Sequence, residues 1–170
     1  MKKFGVAMFI TVLWIVFSSY VIHAEIAKNG SGEIRIGKSG KVNVLPLAKG
    51  QLQMNFDENG AVVNAPENSP FVDASMRAIG TFLAVEGKFI SNGAIVFNRP
   101  NGDKIFGKIV DASGVLGVGP NSGTIELSGG TGECSGIEGR IEIMPPPKMT
   151  PSTKGIYQGV VIMEVSWKIP

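Results

Sequence analysis

Residues 126–140, ELSGGTGECSGIEGR, join two short alternating segments through a glycine-rich stretch that holds the only cysteine of the chain. Before it, Ile125 and Leu127 alternate with polar residues, and after it Ile141 and Ile143 do the same, which is the period of a half-buried strand. A phosphate- or dinucleotide-binding glycine loop leads from a strand into a helix, and no helical period follows this stretch. The glycines therefore predict a sharp corner between two strands, at positions that need positive φ or close strand approach.

The same alternation recurs along the rest of the chain. GEIRIG (32–37), GQLQMNF (50–56) and YQGVVIMEVSW (157–167) place apolar residues at most second positions, and no stretch after residue 24 has a convincing helical period. Asn-Gly pairs, which favour the positive φ of hairpin turns, occur at 29–30, 59–60, 92–93 and 101–102. Many short strands separated by such turns predict an all-β fold, an antiparallel barrel of about eight strands, since closure removes unprotected sheet edges.

The N-terminus has the pattern of an export signal. Two lysines are followed by an apolar run that begins at Phe4 and by a short polar stretch that ends at Ala24. This order is typical of a secretory signal peptide, so residues 1–24 are predicted to be removed and residues 25–170 to form a single β-barrel domain. The predicted location is therefore periplasmic or extracellular. The rival interpretation is an uncleaved membrane anchor, since Phe4 to Ile22 is nearly long enough to span a bilayer.

The amino-acid composition argues against several functional classes. Without the two lysines of the signal peptide, the chain has equal numbers of basic and acidic residues, so no basic stripe for nucleic acid is predicted. The only histidine, His23, lies within the predicted signal peptide, which excludes histidine-based catalytic triads and histidine metal sites from the mature chain. A single cysteine makes no intramolecular disulfide, so we expect a disulfide-free domain. We also expect neither a bound metal nor a cofactor.

One stretch matches the phosphate-loop pattern by spacing alone. GEIRIGKS (32–39) fits G-x-x-x-x-G-K-[ST], but its middle residues alternate as a strand, and a turn and another strand follow in place of a helix. Lys38 is therefore predicted to be a solvated turn residue and not a phosphate ligand.

The predicted inner faces of the strands define a candidate ligand-binding site. A barrel of about eight strands is just wide enough either to be filled by side chains or to hold one small ligand. The candidate ligand-binding residues are the bulky side chains predicted to face inward: Met54, Phe56, Phe82, Phe97, Tyr157, Met163 and Trp167. The catalytic candidate is Glu86, which shares a strand face with Phe82 and Ala84. If that face looks inward, Glu86 is a buried carboxylate suited to acid–base chemistry. The simpler interpretation, which we prefer, is a position on the surface.

Three stretches in the second half resemble a known family. GDKIFGKIV (102–110), TIELS (124–128) and GGTGECSGIEGRIEI (129–143) are similar to the turn, strand and glycine corner of the allene oxide cyclase-like barrels. Plant dirigent proteins and many exported bacterial proteins of unknown function share this calycin-like architecture. The resemblance implies a barrel of about eight antiparallel strands with a largely apolar interior, often in a homo-oligomer. In the cyclases a rigid pocket binds an oxylipin, and Glu86 and Glu133 are the nearest candidates in this chain for the catalytic carboxylate.

These observations leave three functional classes open. The preferred class is an exported barrel that binds a small hydrophobic molecule or lipid in its interior. The second is a secreted interaction protein with a filled barrel and functional loops, such as 57–75 and 144–155. The third is a cyclase- or isomerase-like enzyme that uses a shaped pocket and one buried carboxylate. A cavity that receives Tyr157 and Glu86 favours binding or catalysis, whereas a barrel without a void favours the interaction protein.

Overall fold

The computed structural model describes residues 25–145, 151–153 and 155–170. Within these residues the chain forms nine β-strands and one short 3₁₀ helix, and no helix that could cross a membrane. The predicted signal peptide lies outside the described residues. The strands, numbered in chain order, are β1 (Asn29–Ala48), β2 (Gln51–Asn64), β3 (Ser75–Val85), β4 (Lys88–Asn98), β5 (Lys104–Val115), β6 (Gly119–Gly130), β7 (Glu138–Ile143), β8 (Pro151–Thr153) and β9 (Ile156–Lys168).

The sheet closes on itself. Each strand from β1 to β7 pairs antiparallel with the next, and β9 pairs with β1 over a long ladder that runs from Asn29 with Lys168 to Lys41 with Ile156. On its other edge β9 pairs with β7 through its C-terminal half and with β8 through Ile156 and Tyr157, so β7 and β8 share one position around the barrel. The fold is thus a closed antiparallel barrel of eight strand positions, which confirms the predicted all-β barrel.

The predicted positions of the turns are mostly wrong. Among the Asn-Gly pairs, only 101–102 lies in a turn, where the Gly102 amide donates to the Arg99 carbonyl at 2.9 Å. The pairs at 29–30, 59–60 and 92–93 lie inside β1, β2 and β4. Pairing with neighbouring strands in the closed barrel overrides the local turn preference of Asn-Gly. The strands are consequently longer than the turn pattern predicts, reaching 20 residues in β1.

One end of the barrel, which we call the closed end, is filled by side chains. The loop 65–74 between β2 and β3 inserts Phe71, which is fully buried. Phe71 meets Phe97 and Trp167 edge to face, with ring centroids 5.2 and 6.1 Å apart, and the Trp167 indole N–H donates to the Ala27 carbonyl at 2.8 Å. Each large side chain buried in this way contributes roughly 1.5–3 kcal/mol to folding, so the closed end is a main part of the core.

The glycine corner after β6 packs against the β4–β5 turn at the closed end. Its 3₁₀ helix spans Gly132–Cys134. The backbone N–H of Glu133 donates to the Asp103 carboxylate at 3.0 Å, and the backbone N–H of Lys104 donates to the Thr131 hydroxyl at 2.9 Å. The glycine-rich stretch 126–140 is therefore a structural corner that connects the β4–β5 hairpin with the β6–β7 hairpin.

We expect Gly132→Ala to destabilise this corner. Gly132 has a φ of +54°, a left-handed conformation that costs an L-residue roughly 1–2 kcal/mol, and an added Cβ would overlap the Asp103 carboxylate. Because that carboxylate accepts hydrogen bonds from the Glu133 amide and the Asn101 side chain, its displacement loses about 1 kcal/mol per bond. The free energy of unfolding, measured in urea, should fall by about 2–4 kcal/mol.

Gly87→Ala is the matched control. Gly87 also has a positive φ, +81°, but no atom lies within 4 Å of a Cβ added there, so this variant carries the backbone strain alone. Equal losses of stability in the two variants would contradict the contact with Asp103 as the reason for glycine at position 132.

Candidate functional site

The opposite end of the barrel, which we call the open end, contains a cavity of about 230 Å³. Its apolar lining comes from Val42 of β1, Met54 of β2, Phe82 of β3, Phe89 of β4 and Leu116 of the β5–β6 turn. Phe82 and Phe89 also pack on each other, with ring centroids 4.9 Å apart. The barrel interior is therefore filled at the closed end and hollow at the open end.

Three polar side chains line the inner part of the cavity: Lys38, Glu58 and Tyr157, which we call the polar cluster. The Lys38 ammonium donates to both oxygens of Glu58, at 2.9 Å each, and the Tyr157 hydroxyl donates to Glu58 Oε1. The side chains of Lys38 and Glu58 are only 8% and 9% exposed. A carboxylate placed this deeply in an apolar wall requires an opposite charge, and Lys38 supplies it.

The register of three strands brings the polar cluster together. Gly40 of β1 pairs with Glu58 of β2 on one side and with Tyr157 of β9 on the other. A Cβ on Gly40 would lie 2.7 Å from the Tyr157 hydroxyl and 2.9 Å from Glu58 Cγ. Because Gly40 has no side chain, its two neighbours meet across it. Lys38 reaches Glu58 from the preceding inward position of β1, since inward positions recur at every second residue of a strand.

Burial holds Tyr157 in its protonated form. It raises the pKa of the Tyr157 phenol far above the usual value, and the charge and hydrogen bond of Glu58 raise this pKa further. The Lys38 ammonium lies 6.0 Å from the centre of the Tyr157 ring, at the outer limit of a cation–π contact. Because the ammonium and the carboxylate cancel, the cluster as a whole is neutral.

Three of the seven candidate ligand-binding residues line the cavity, and a fourth, Phe56, packs on one of them. Met54, Phe82 and Tyr157 line it, and Phe56 stacks on Phe82 with ring centroids 4.7 Å apart. Strand alternation predicts the inward direction of all four side chains. Their role in binding a ligand stays a prediction.

The other three candidates, Phe97, Met163 and Trp167, lie in the closed-end core and do not line the cavity. Phe97 is fully buried against Phe71. The physical reason for the difference is that alternation indicates which face of a strand looks inward but not how far along the barrel a residue lies.

Glu86 does not meet the condition for a buried carboxylate and has the surface position that was the simpler interpretation. β3 ends at Val85, and Glu86 lies exposed in the turn that follows, with a φ of +48°. The inward series of Phe82 and Ala84 stops there because a turn does not keep the alternation of a strand. Among the described residues, the carboxylate buried inside the barrel is that of Glu58.

Sequence reasoning missed both charged members of the polar cluster. The prediction of a solvated turn residue at Lys38 is wrong, because Lys38 lies within β1 with its side chain inside the barrel. Glu58 lies in the stretch DENG (57–60), whose Asn-Gly pair predicted a turn. The signal that identifies both is alternation, since Lys38 continues the inward series of Ile36, and Glu58 continues that of Phe56.

The glycine corner offers no second site. Glu133 forms an ion pair with Arg99 at 2.5 Å, at the closed end and away from the cavity. Cys134 is fully buried, and burial raises the pKa of its thiol, which disfavours the reactive thiolate. In the part of the chain that the structure describes, no group of three or more His, Cys, Asp or Glu side chains is placed to hold a metal ion.

The segments 57–75 and 144–155, predicted to be loops that contact a partner protein, are only partly loops. Residues 57–64 belong to β2, and residues 65–74 cover the closed end. Residues 146–150 and 154, from the second of these loops, lie outside the described residues.

Removing one partner of the buried ion pair should destabilise the fold more than removing both. Lys38→Met leaves Glu58 buried without its counter-ion, with an expected loss of about 3–5 kcal/mol in the free energy of unfolding. Lys38→Met combined with Glu58→Leu exchanges the pair for apolar side chains, and should recover at least half of that loss. Urea unfolding of the two single variants and the double variant measures the coupling. Additive losses would contradict a buried, mutually dependent pair.

Stability should fall above about pH 10 because of Tyr157. The pKa of Tyr157 is raised in the folded state, so above the ordinary value of 10.0 the unfolded chain loses its phenol proton first. The contribution is fully present below that pH and is lost as the pH rises, with a slope that approaches about 1.4 kcal/mol per pH unit. Urea unfolding from about pH 9 to 11 measures the slope. The slope should be smaller in Tyr157→Phe, and an unchanged slope would contradict the raised pKa.

Comparisons with known proteins return a likeness of fold. The solved structure of the pterocarpan synthase dirigent protein GePTS1 aligns over 84% of this chain and 91% of its own, with a TM-score of 0.47 and 12% sequence identity. No protein-family model matches the chain, and no curated protein matches it either. The chemistry of the cavity is therefore interpreted from the residues of this chain alone.

Proposed function

We propose that this protein is an exported binding protein that holds one small apolar molecule in the cavity at the open end of its barrel. The observation that carries the proposal is the cavity itself, whose wall of aliphatic and aromatic side chains surrounds about 230 Å³. Removing apolar surface from water is the main favourable contribution to binding in such a pocket, and a few convergent polar groups set the orientation of the ligand.

The cavity volume limits the size of the ligand. An apolar cavity of about 150 Å³ holds one benzene molecule, so a cavity of about 230 Å³ suits a molecule of roughly ten heavy atoms. A single substituted ring or a short chain has this size. A lipid with two full acyl chains is too large to enter whole.

The proposed location is periplasmic or extracellular. The support for it is the order of basic, apolar and polar residues in 1–24, which is typical of a secretory signal peptide. In either place, a sheltered apolar interior can take up molecules that dissolve poorly in water.

A cyclase- or isomerase-like enzyme is the second candidate, favoured by the buried carboxylate of Glu58 beside the cavity. A general base must be free to take a proton from its substrate. Lys38 donates to both oxygens of Glu58, and Tyr157 donates to one of them. Because these bonds stabilise the charged carboxylate, they favour binding over acid–base catalysis.

The proposal is tested by filling the cavity. Val42 lines it, so Val42→Phe places an aromatic ring in the space that a ligand would occupy. Val44, on the same strand, is 52% exposed and does not line the cavity, so Val44→Phe is the matched control. Naphthalene, followed by its own fluorescence, is a suitable apolar probe of about ten heavy atoms.

We expect naphthalene to bind the unaltered protein and Val44→Phe with equal affinity, and to bind Val42→Phe at least tenfold more weakly. Circular dichroism checks that both variants keep the fold. No saturable binding to the unaltered protein, or equal binding to Val42→Phe, would overturn the proposal.

A further inference from the structure

The Lys38 ammonium faces the cavity with hydrogen-bonding capacity to spare. A lysine ammonium has three N–H donors, and the hydrogen bonds of Lys38 among the described residues go to the two oxygens of Glu58 alone. Those residues supply no acceptor for the third donor. Lys38 also belongs to the cavity lining, so the remaining donor is available to a molecule held there.

Glu58 and Tyr157 leave Lys38 as the main hydrogen-bond donor of the polar cluster to a molecule in the cavity. The Tyr157 hydroxyl donates to Glu58 Oε1, so its proton is engaged within the cluster. Among the described residues, Glu58 Oε2 accepts a hydrogen bond from Lys38 alone, so one lone pair remains for a further donor. A ligand oxygen at this point can thus accept from Lys38, and a hydroxyl can in addition donate to Glu58.

The charge of the polar cluster discriminates against ionised ligands. Lys38 and Glu58 neutralise each other, and the next carboxylate along β2, Asp57, is ion-paired with Arg77 at 2.9 Å on the exposed outer face. A ligand carboxylate would place a second negative charge beside Glu58, and among the described residues that line the cavity there is no cation besides Lys38. A ligand ammonium would likewise face Lys38. Either charge would be buried without compensation in an apolar wall.

We infer that the cavity selects neutral molecules that carry one hydrogen-bonding oxygen, a ketone, aldehyde or alcohol, over both hydrocarbons and ionised molecules of the same size. This inference rests on the proposed function, because it names the ligand class of the same cavity. The apolar part of the ligand lies against Met54, Phe82 and Phe89, and its oxygen accepts a hydrogen bond from Lys38 Nζ.

A matched series of one-ring probes tests the selection. Ethylbenzene, acetophenone, benzoate and benzylamine have similar sizes and differ in the polar group. Titration calorimetry or ligand-observed NMR with the whole protein at neutral pH gives their relative affinities. We expect acetophenone to bind at least tenfold more tightly than each of the other three.

The outcomes separate the inference from the function on which it rests. If ethylbenzene and acetophenone bind with equal affinity, the cavity binds apolar molecules but the inference is overturned. Tighter binding of benzoate or benzylamine than of acetophenone overturns it as well. If no member of the series binds, the proposed function fails with it.

Two further measurements test whether the polar cluster supplies the hydrogen bond to the ligand. In the triple variant Lys38→Met, Glu58→Leu and Tyr157→Phe, the polar cluster becomes apolar, and the preference for acetophenone over ethylbenzene should fall to about onefold. If this variant does not fold, infrared spectroscopy of carbonyl-labelled acetophenone on the unaltered protein is decisive. Its carbonyl stretch should lie below the frequency found in a hydrocarbon solvent, since it accepts a hydrogen bond. An unshifted frequency would overturn the inference.

Discussion

The long antiparallel ladder between β1 and β9 is the constraint on which the rest of the structure depends. It joins β1 and β9 from Asn29 with Lys168 to Lys41 with Ile156 and so closes the sheet that the described residues form. Closure directs alternate residues of every strand into one interior of limited volume. Interior volume that these side chains do not fill remains as a cavity. Polar side chains that point inward need hydrogen-bond or ion-pair partners within the barrel.

The two ends of the barrel meet this constraint differently. At the closed end, the loop 65–74 inserts Phe71 between Phe97 and Trp167, and the interior is filled. At the open end, the turns at 49–50, 86–87 and 116–118 are short, and a cavity remains. The buried pair of Lys38 and Glu58 lies along that cavity. Because an apolar pair of similar volume is often at least as stabilising as a buried ion pair, fold stability alone does not require charged side chains at these positions.

Alternation of polar and apolar residues predicted the barrel and the inward direction of Met54, Phe82 and Tyr157. Lys38 and Glu58 follow the same alternation, but lysine and glutamate are almost always exposed unless they are paired. Whether a pair exists depends on a distant strand, which local sequence does not reveal. Glu86 is exposed for a different reason: β3 ends one residue before it, and strand ends are set by pairing with neighbours.

The sequence by itself determined the all-β class, the inward direction of apolar residues in strands such as β2 and β9, and the glycine corner, because these depend on local periodicity and on backbone conformations that glycine permits. The tertiary structure decided which inward residues line the cavity and which charges meet there. Gly40 shows the physical reason. Glu58 and Tyr157 are 99 residues apart in the chain, and only the register of β1 with both β2 and β9 places them on either side of the same glycine.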